Sequence, residues 1–287
     1  MFSELTGEDL YAEMIMQRTN DRRNFLIVEG DGDISVFDRF LAPDLFVAIP
    51  AAGKKSAKEA LALAFADGFH GVYSVLDRDW KGLIPGEIED WRIVYTDQYD
   101  LDMCVFFSGA YSVVASGYCV RGGYRSNSEG CTEEDIQKVC LEMSFPLGVL
   151  RYVSERRGLK LRLRDFPLHE VVAPGGFSVD LNRLVSVAQS RSKGCTAPAE
   201  EILFALREAM AEIDNPARYC SGHDVARAFA ILMRRRWATV VSAEAVEKAA
   251  RVTVHWEKFK RFSVYGDCAS WFEGDVEQVW RSEGATG

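Results

Sequence analysis

The 287-residue chain has no uninterrupted apolar run of the roughly 18 residues that a membrane-crossing helix needs, so no membrane partner is expected. Its first residues, MFSELTGEDLYAEMIMQ, lack a basic region followed by an apolar one, which argues against a secretory signal. No two of its cysteines form a C-x-x-C pair; they are scattered at 104, 119, 131, 140, 195, 220 and 268, an odd number. That pattern fits reduced thiols in a cytoplasmic protein and does not fit a zinc site. Excess positive charge is also missing. With a net charge of −9 the chain is not a general nucleic-acid binder, because such binding comes from neutralising phosphates. A local basic patch, or bound cations, would still allow a specific contact. There is no internal repeat, no low-complexity tract, no Walker A spacing and no nucleophile-elbow motif.

What is present is a soluble globular composition, 48% hydrophobic and 27% charged, on a chain long enough for one large domain or two ordinary ones. Residues 8–19 read as a helix with Leu10, Met14 and Ile15 on one face. Phe25–Val28 is a short buried strand. Asp31 or Asp33 caps a helix that runs to Leu41 through Ile34, Phe37 and Phe40. Leu45–Ile49 is a second strand, ended by Pro50. Ser56-Ala57-Lys58-Glu59 has the capping-box pattern and opens a helix to about Ala66. Val72–Leu76 and Trp91–Tyr95 are the third and fourth strands. Strands alternating with helices at this spacing predict an α/β fold: a parallel sheet flanked by helices, whose ligands bind beyond the carboxyl ends of the strands.

From about residue 125 the pattern becomes helical, with candidates at 132–143, 145–157, 180–190, 197–213, 222–236, 242–253 and 268–281. A β-like pair is expected at 159–164 and 168–172. The glycine-rich stretch Gly122–Gly130 is the expected connection, giving an α/β domain over 1–121 and a mostly α-helical domain over 122–287.

Three of the strands run into acid. Glu29 closes the first, Asp77 and Asp79 the third, and Asp97, Asp100 and Asp102 follow the fourth. In an extended segment residues i and i+2 point the same way, so Asp77 and Asp79 would share a target, with parallel pairing bringing Glu29 beside them. Two carboxylates about 4 Å apart repel by roughly 4 kcal/mol at an effective dielectric of 20. Such a group takes up a proton or a cation, and Mg²⁺, a hard ion held by carboxylates, explains all three acids together. The stretch DGDISVF is not an EF-hand loop, since Val36 and Ala42 stand at its sixth and twelfth positions.

A glutamate after the first strand, in IVEGDGD, and D-x-D after a later one, in VLDRDW, resemble the TOPRIM domain over about residues 20–105. A narrower match, through IVEGDGDISVF, AIPAAGKKSA, VYSVLDRDW, TDQYDLDMCVF and SGHDVARAF, resembles the DUF4435 family. Some of its members look like the nuclease effectors of PARIS-type anti-phage systems. The resemblance implies a nuclease whose acids bind Mg²⁺, or Mn²⁺ in its place, and cleave nucleic acid, with structured RNA such as tRNA at least as plausible as DNA. It also implies an ABC-type ATPase partner that holds the nuclease inactive, and a homodimer after release. Glu29, Asp77 and Asp79 correspond to the family's metal-binding acids. Asp102 occupies a metal-side position where relatives often carry glutamate.

For phosphodiester hydrolysis, Asp77 and Asp79 are expected as metal ligands and Glu29 as a ligand or general base. Lys54, in the AAGKKS loop after the second strand, would offset negative charge on phosphate; a solvated loop is the alternative. Arg78 points away from its acidic neighbours, toward a structural salt bridge. Arg151, Arg156, Arg157, Lys160, Arg162 and Arg164 lie within fourteen residues and are either a nucleic-acid or ATPase contact or a solvated face. His223-Asp224 reads as capping and packing, because adjacent helical residues do not face each other. Two other readings stand beside the nuclease: a non-catalytic interaction or signalling module derived from the same fold, and a primase-like phosphotransfer enzyme.

Overall fold

The computed structural model describes residues 6–85, 89–119, 124–125, 128 and 131–281. Compactness divides the chain into two units, Met1–Arg78 with Gly86–Cys104 and Val254–Gly287, and Asp79–Pro85 with Val105–Thr253. The sequence reading drew a single cut after residue 121; the first unit also takes in the last segment of the chain. The expected connection at Gly122–Gly130 falls mostly outside the described residues. Among the described residues, no helix is long and apolar enough to cross a membrane.

The first unit is built on a four-stranded, all-parallel sheet, confirming the expected α/β class. Its strands are β1 (Asn24–Val28), β2 (Phe46–Pro50), β3 (Val72–Leu76) and β4 (Ile93–Tyr95), in the order β2-β1-β3-β4. From β1 the chain crosses to β2 on one side, then passes back to β3 on the other. The carboxyl ends of β1 and β3 therefore flank the point where strand order reverses, the usual place for a ligand in an open α/β sheet.

Residues Phe25–Val28 are fully buried, as expected for a central strand covered on both faces. On one face lie α1 (Gly7–Arg18) and α3 (Lys54–Ala66), which bury Leu10, Met14, Ala57, Ala60, Leu61 and Ala64 against Phe25, Ile27 and Val72. Helix α1 is fixed by a capping box, in which Thr6 Oγ1 accepts from Asp9 N–H and Asp9 Oδ2 from Thr6 N–H. The other face is aromatic and is covered by the returning segment. Tyr73 stacks on Trp271 at 4.7 Å between ring centres, Phe40 on Phe259 at 4.5 Å and Phe37 on Trp280 at 5.8 Å. Trp280 bridges Leu41, and Ala42 N–H donates to the Val279 carbonyl. This segment is not the single helix expected over 268–281. It holds α11 (Trp256–Phe259), α12 (Ser263–Asp267) and 3-10 turns at Cys268–Phe272 and Val276–Gln278.

The remaining helices of this unit begin differently from expectation. Helix α2 (Asp31–Phe37) starts on Gly30, so neither Asp31 nor Asp33 is its N-cap. Asp33 sits on the third helical position and accepts from Gly30 N–H at 3.0 Å. Helix α3 starts on Gly53, whose φ of 98° favours glycine, and Ser56 lies inside the helix rather than at a capping box. The unit boundary falls within α4 (Leu101–Phe107).

The second unit is helical: α5 (Ala110–Tyr118), α6 (Glu133–Arg157), α7 (Leu181–Ser190), α8 (Ala199–Glu212), α9 (Gly222–Trp237) and α10 (Ala243–Thr253). Helix α6 replaces the two helices expected at 132–143 and 145–157. Pro146 lies inside it, buried and without interrupting it. A capping box of Thr132 with Asp135 opens α6, and Gly158, left-handed at φ 63°, closes it. The β-like pair is absent: 159–164 is irregular, Leu168–Glu170 is a 3-10 turn, and one isolated bridge joins Val172 to Val179.

Of the expected basic face, Arg151 and Arg157 meet acids of this unit, while Arg156, Lys160, Arg162 and Arg164 are exposed. Arg151 Nη1 stands 2.7 Å from Asp224 Oδ2, a charge contact without hydrogen-bond alignment. Arg227 Nη1 joins Asp224 Oδ1 at 3.1 Å, and Asp224 is fully buried. Arg157 pairs with Glu208 at 3.3 Å, and the main-chain N–H of Arg162 donates to Ser192 Oγ at 2.7 Å, which leaves its guanidinium outside that bond. Lys160 has a left-handed φ of 57°, so Lys160, Arg162 and Arg164 do not share the face of a strand. The cap of α9 is Ser221, which accepts from Asp224 N–H, and not the expected His223-Asp224; the Asp224 side chain packs buried beside Arg151 and Arg227, and His223 Nδ1 lies 2.8 Å from Glu247 Oε1.

Candidate metal centre

Glu29 and Asp77 are the residues that follow β1 and β3, so the parallel register of these strands sets them side by side. Asp77 N–H donates to Glu29 Oε1 at 2.9 Å, which ties the two strand ends together through a carboxylate. Asp77 Oδ1 in turn accepts from Leu101 N–H at 2.9 Å, the first residue of α4. The Glu29 carbonyl accepts from Gly53 N–H at 3.0 Å, so the turn leading into Lys54 is fastened to the same strand end. Three segments far apart in sequence thus meet at the carboxyl edge of the sheet.

The charge around Asp77 is the distinctive property of this edge. Burial pushes its carboxyl well above the usual carboxylate range, and the nearby negative charges of Asp100, Glu29 and Asp33 push it further. The hydrogen bond from Leu101 N–H acts in the opposite direction and is outweighed. Asp100 is buried and accepts from Met103 N–H at 2.8 Å, so it is held in place by the first turn of α4. Without a cation this carboxylate group retains a proton on Asp77 at pH values where an exposed aspartate has lost it.

Of the residues expected at the site, Glu29 and Asp77 are brought together. Asp79 does not continue the strand: its φ is 44°, in the left-handed region, so the two-residue alternation used to align it with Asp77 does not hold there. Asp79 belongs to the second unit. Lys54 is the first residue of α3, and its Nζ lies 5.8 Å from the centre of the Tyr95 ring, with Lys58 Nζ at 5.7 Å. Asp102 is buried in the first turn of α4, but the acid of that stretch that acts on Asp77 is Asp100. Arg78 makes no salt bridge among the described residues; its Nε donates to the Thr96 carbonyl at 2.9 Å.

Asp33 and Asp100 are the members that sequence reasoning passed over. Asp33 is disguised by its place in a helix start. Asp100 was one of three acids after the fourth strand, and its signal was its position one residue before a helix, where a carboxylate accepts from the first turn.

In donor type alone, this edge suits a hard divalent ion. The groups that converge in charge on Asp77 are all carboxylates, which are the ligands magnesium and manganese prefer. Cys104, which reaches Asp97 Oδ1 at 3.2 Å, is held protonated by burial and by the charge of Asp97, so it offers no thiolate for a softer metal. No protein-family model matches the sequence, and no curated protein matches it either.

Proposed function

We propose that this chain is a magnesium-dependent nuclease of the TOPRIM kind, with manganese able to replace magnesium. Its substrate would be nucleic acid, structured RNA such as tRNA or DNA. By the resemblance of its motifs, its setting is bacterial anti-phage defence, held inactive by an ABC-type ATPase and active, as a homodimer, when released. The observation that carries the reading is Glu29 and Asp77 joined at the strand-order reversal, with Asp77 pushed up by burial and by the charges of Asp100, Glu29 and Asp33.

When bound, a divalent ion neutralises charge on the scissile phosphate and its oxygens. Glu29, Asp77 and, from the D-x-D motif, Asp79 are the residues proposed to hold it, with Asp102 assigned by likeness alone. Glu29 is oriented by Asp77 N–H and is the candidate to take a proton from water. Lys54, at the start of α3, is placed on the same sheet edge by the Gly53–Glu29 hydrogen bond and offsets charge building on phosphate.

The test is to incubate the purified protein, freed from its ATPase, with Mg²⁺ and a mixture of RNA and DNA, beside Glu29→Ala. Cleavage by the wild type alone supports the reading. If every substrate stays intact, the enzymatic claim fails. A non-catalytic signalling module is the second reading. It is favoured by the internal commitment of Arg151 and Arg157 to acids, which leaves less of the basic stretch for a polyanion. It predicts that Asp77→Ala leaves cellular activity unchanged.

A further inference from the structure

Within the helical unit, α9 carries Arg227, Ala230, Ile231, Arg234 and Arg235 at the three- and four-residue spacing that places side chains on one helical face. That face is the base of a cleft of about 710 Å³. One wall is formed by residues 165–169 and the other by Val240, Val241 and Ala243, all of the same unit. Sites for small molecules commonly enclose roughly 300–1,000 Å³ and combine an apolar lining with a few polar groups.

Both walls are held by the unit's own bonds. Asp165 Oδ1 accepts from Arg227 Nη2 at 2.7 Å, and Arg191 Nη2 donates to the Arg164 and Asp165 carbonyls, each at 3.1 Å. On the opposite side Ala238, left-handed at φ 50°, ends α9, and Thr239 N–H donates to the Met233 carbonyl at 3.1 Å. The chain turns there, and Val240 and Val241 come to line the cleft. Val240 is 80% exposed, an apolar side chain that nothing in the unit covers.

The charge of the cleft is opposite to that of the whole chain. Net charge is −9, yet the lining sets Arg227, Arg234 and Arg235 against Asp165 alone. The three arginines differ in what they already hold. Arg227 donates to Asp165 and, through Nη1, to Asp224 Oδ1 at 3.1 Å. Arg235 donates to the carbonyls of Val172, Ala173 and Gly176. Arg234 has no acid or carbonyl partner among the described residues. The helix dipole favours a cation in the last turn of α9, but it does not account for the apolar strip of Ala230, Ile231, Pro167, Val240 and Val241 beside it.

We propose that this cleft binds a small organic acid, with an apolar body on Ile231, Pro167, Val240 and Val241 and one carboxylate head on the Arg234 guanidinium. A planar carboxylate matches the fork of an arginine with two parallel hydrogen bonds. The apolar strip separates this site from a nucleic-acid contact, which is made chiefly to phosphate and sugar by charged and polar groups. The site goes beyond the nuclease reading and does not depend on it.

The test uses the full-length chain with labelled isoleucine and valine methyl groups, followed by NMR. The probes are naphthoate, its uncharged twin naphthamide, and a short single-stranded oligonucleotide. Naphthoate is expected to shift the methyl signals of Ile231, Val240 and Val241 in a saturable way, and naphthamide to bind at least tenfold more weakly. Arg234→Ala should weaken naphthoate by roughly ten- to a hundredfold, the range for a hydrogen bond to a charged group, and leave naphthamide unchanged. Val240→Asp removes apolar surface and adds a repelling charge, and should weaken naphthoate more than naphthamide. Both substitutions are at exposed positions, and thermal melting checks the fold; Val240→Asp carries the test if Arg234→Ala does not fold. Equal binding of naphthoate and naphthamide overturns the proposal, as does unchanged naphthoate binding in Arg234→Ala. Shifts that spare all three methyl-bearing residues also overturn it. If the oligonucleotide moves those signals and naphthoate does not, the cleft is a polyanion contact and the proposal fails.

Discussion

The main-chain N–H of Asp77 donates to Glu29 Oε1 at 2.9 Å, so the acid that follows β1 is held by the residue that follows β3. A carboxylate used as a clasp between strands is restricted in direction. A side chain that must meet water or an ion at a fixed point gains from that restriction, because less motion has to be frozen during the reaction.

Replacing Glu29 with glutamine keeps an acceptor for Asp77 N–H and removes one of the charges that press on the Asp77 carboxyl. The Asp77 titration should move down toward the ordinary carboxylate range, read by carbon NMR of the labelled side chain in metal-free buffer. On the proposed nuclease reading, cleavage should fall about a hundredfold or more, as expected when a general base is lost.

Asp77 also gives the metal-free protein a pH-dependent stability. Its folded pKa lies above the unfolded value of 3.8, so the folded state binds the proton more tightly. The contribution is fully present below the unfolded pKa and is lost as pH rises through the folded pKa. Melting temperature without divalent ions should therefore fall between acidic and neutral pH, and Asp77→Asn should flatten that fall. Added Mg²⁺ should stabilise the wild type more at neutral pH than at acidic pH, and should do so far less in Asp77→Asn.

Asp100→Asn tests which acid after β4 belongs to the group. It should lower the Asp77 titration in the same NMR experiment and weaken Mg²⁺ stabilisation, because Asp100 is the first of the charges acting on Asp77 after burial itself. If Asp102→Asn does this and Asp100→Asn does not, the assignment made from the structure is reversed.

In the helical unit, Asp224→Ala leaves Arg151 and Arg227 facing a buried gap where a fully buried carboxylate had been. Removing one partner of such a group costs about 3–5 kcal/mol. Urea denaturation should show it as a lower midpoint with an unchanged slope.

Much of the sheet was legible because central parallel strands are short apolar runs bounded by breakers. Val72–Leu76 was placed without error, and Phe25–Val28 lacked only Asn24. The chemistry at the ends of β1 and β3 was legible for the same reason, since Glu29 and Asp77 follow those runs directly. Other features depend on long-range packing that local pattern does not encode. Pro146 is a helix breaker by propensity, yet α6 continues through it because a buried helix is set by its neighbours rather than by intrinsic preference. The S-A-K-E pattern imitates a capping box, but the chain turns earlier, at Gly53, which alone tolerates the φ of 98°. The left-handed Asp79 has no local signal in the sequence, which holds no glycine or asparagine there. The stretch 268–281 has aromatic spacing that reads as a helix. It folds as tight turns because Trp271, Phe272 and Trp280 each dock on a different part of the sheet unit, against Tyr73, Phe46 and Phe37.

The return of Val254–Gly287 to the sheet unit bears on how the polypeptide is made. Strand β1 leaves the ribosome well before the rings that cover Phe37, Phe40 and Tyr73, with the helical unit translated in between. Until then the nascent chain displays a greasy aromatic face that is a natural client for chaperones. A chain assembled in this order keeps the sheet that carries Glu29 and Asp77 incomplete until the helical unit has been made.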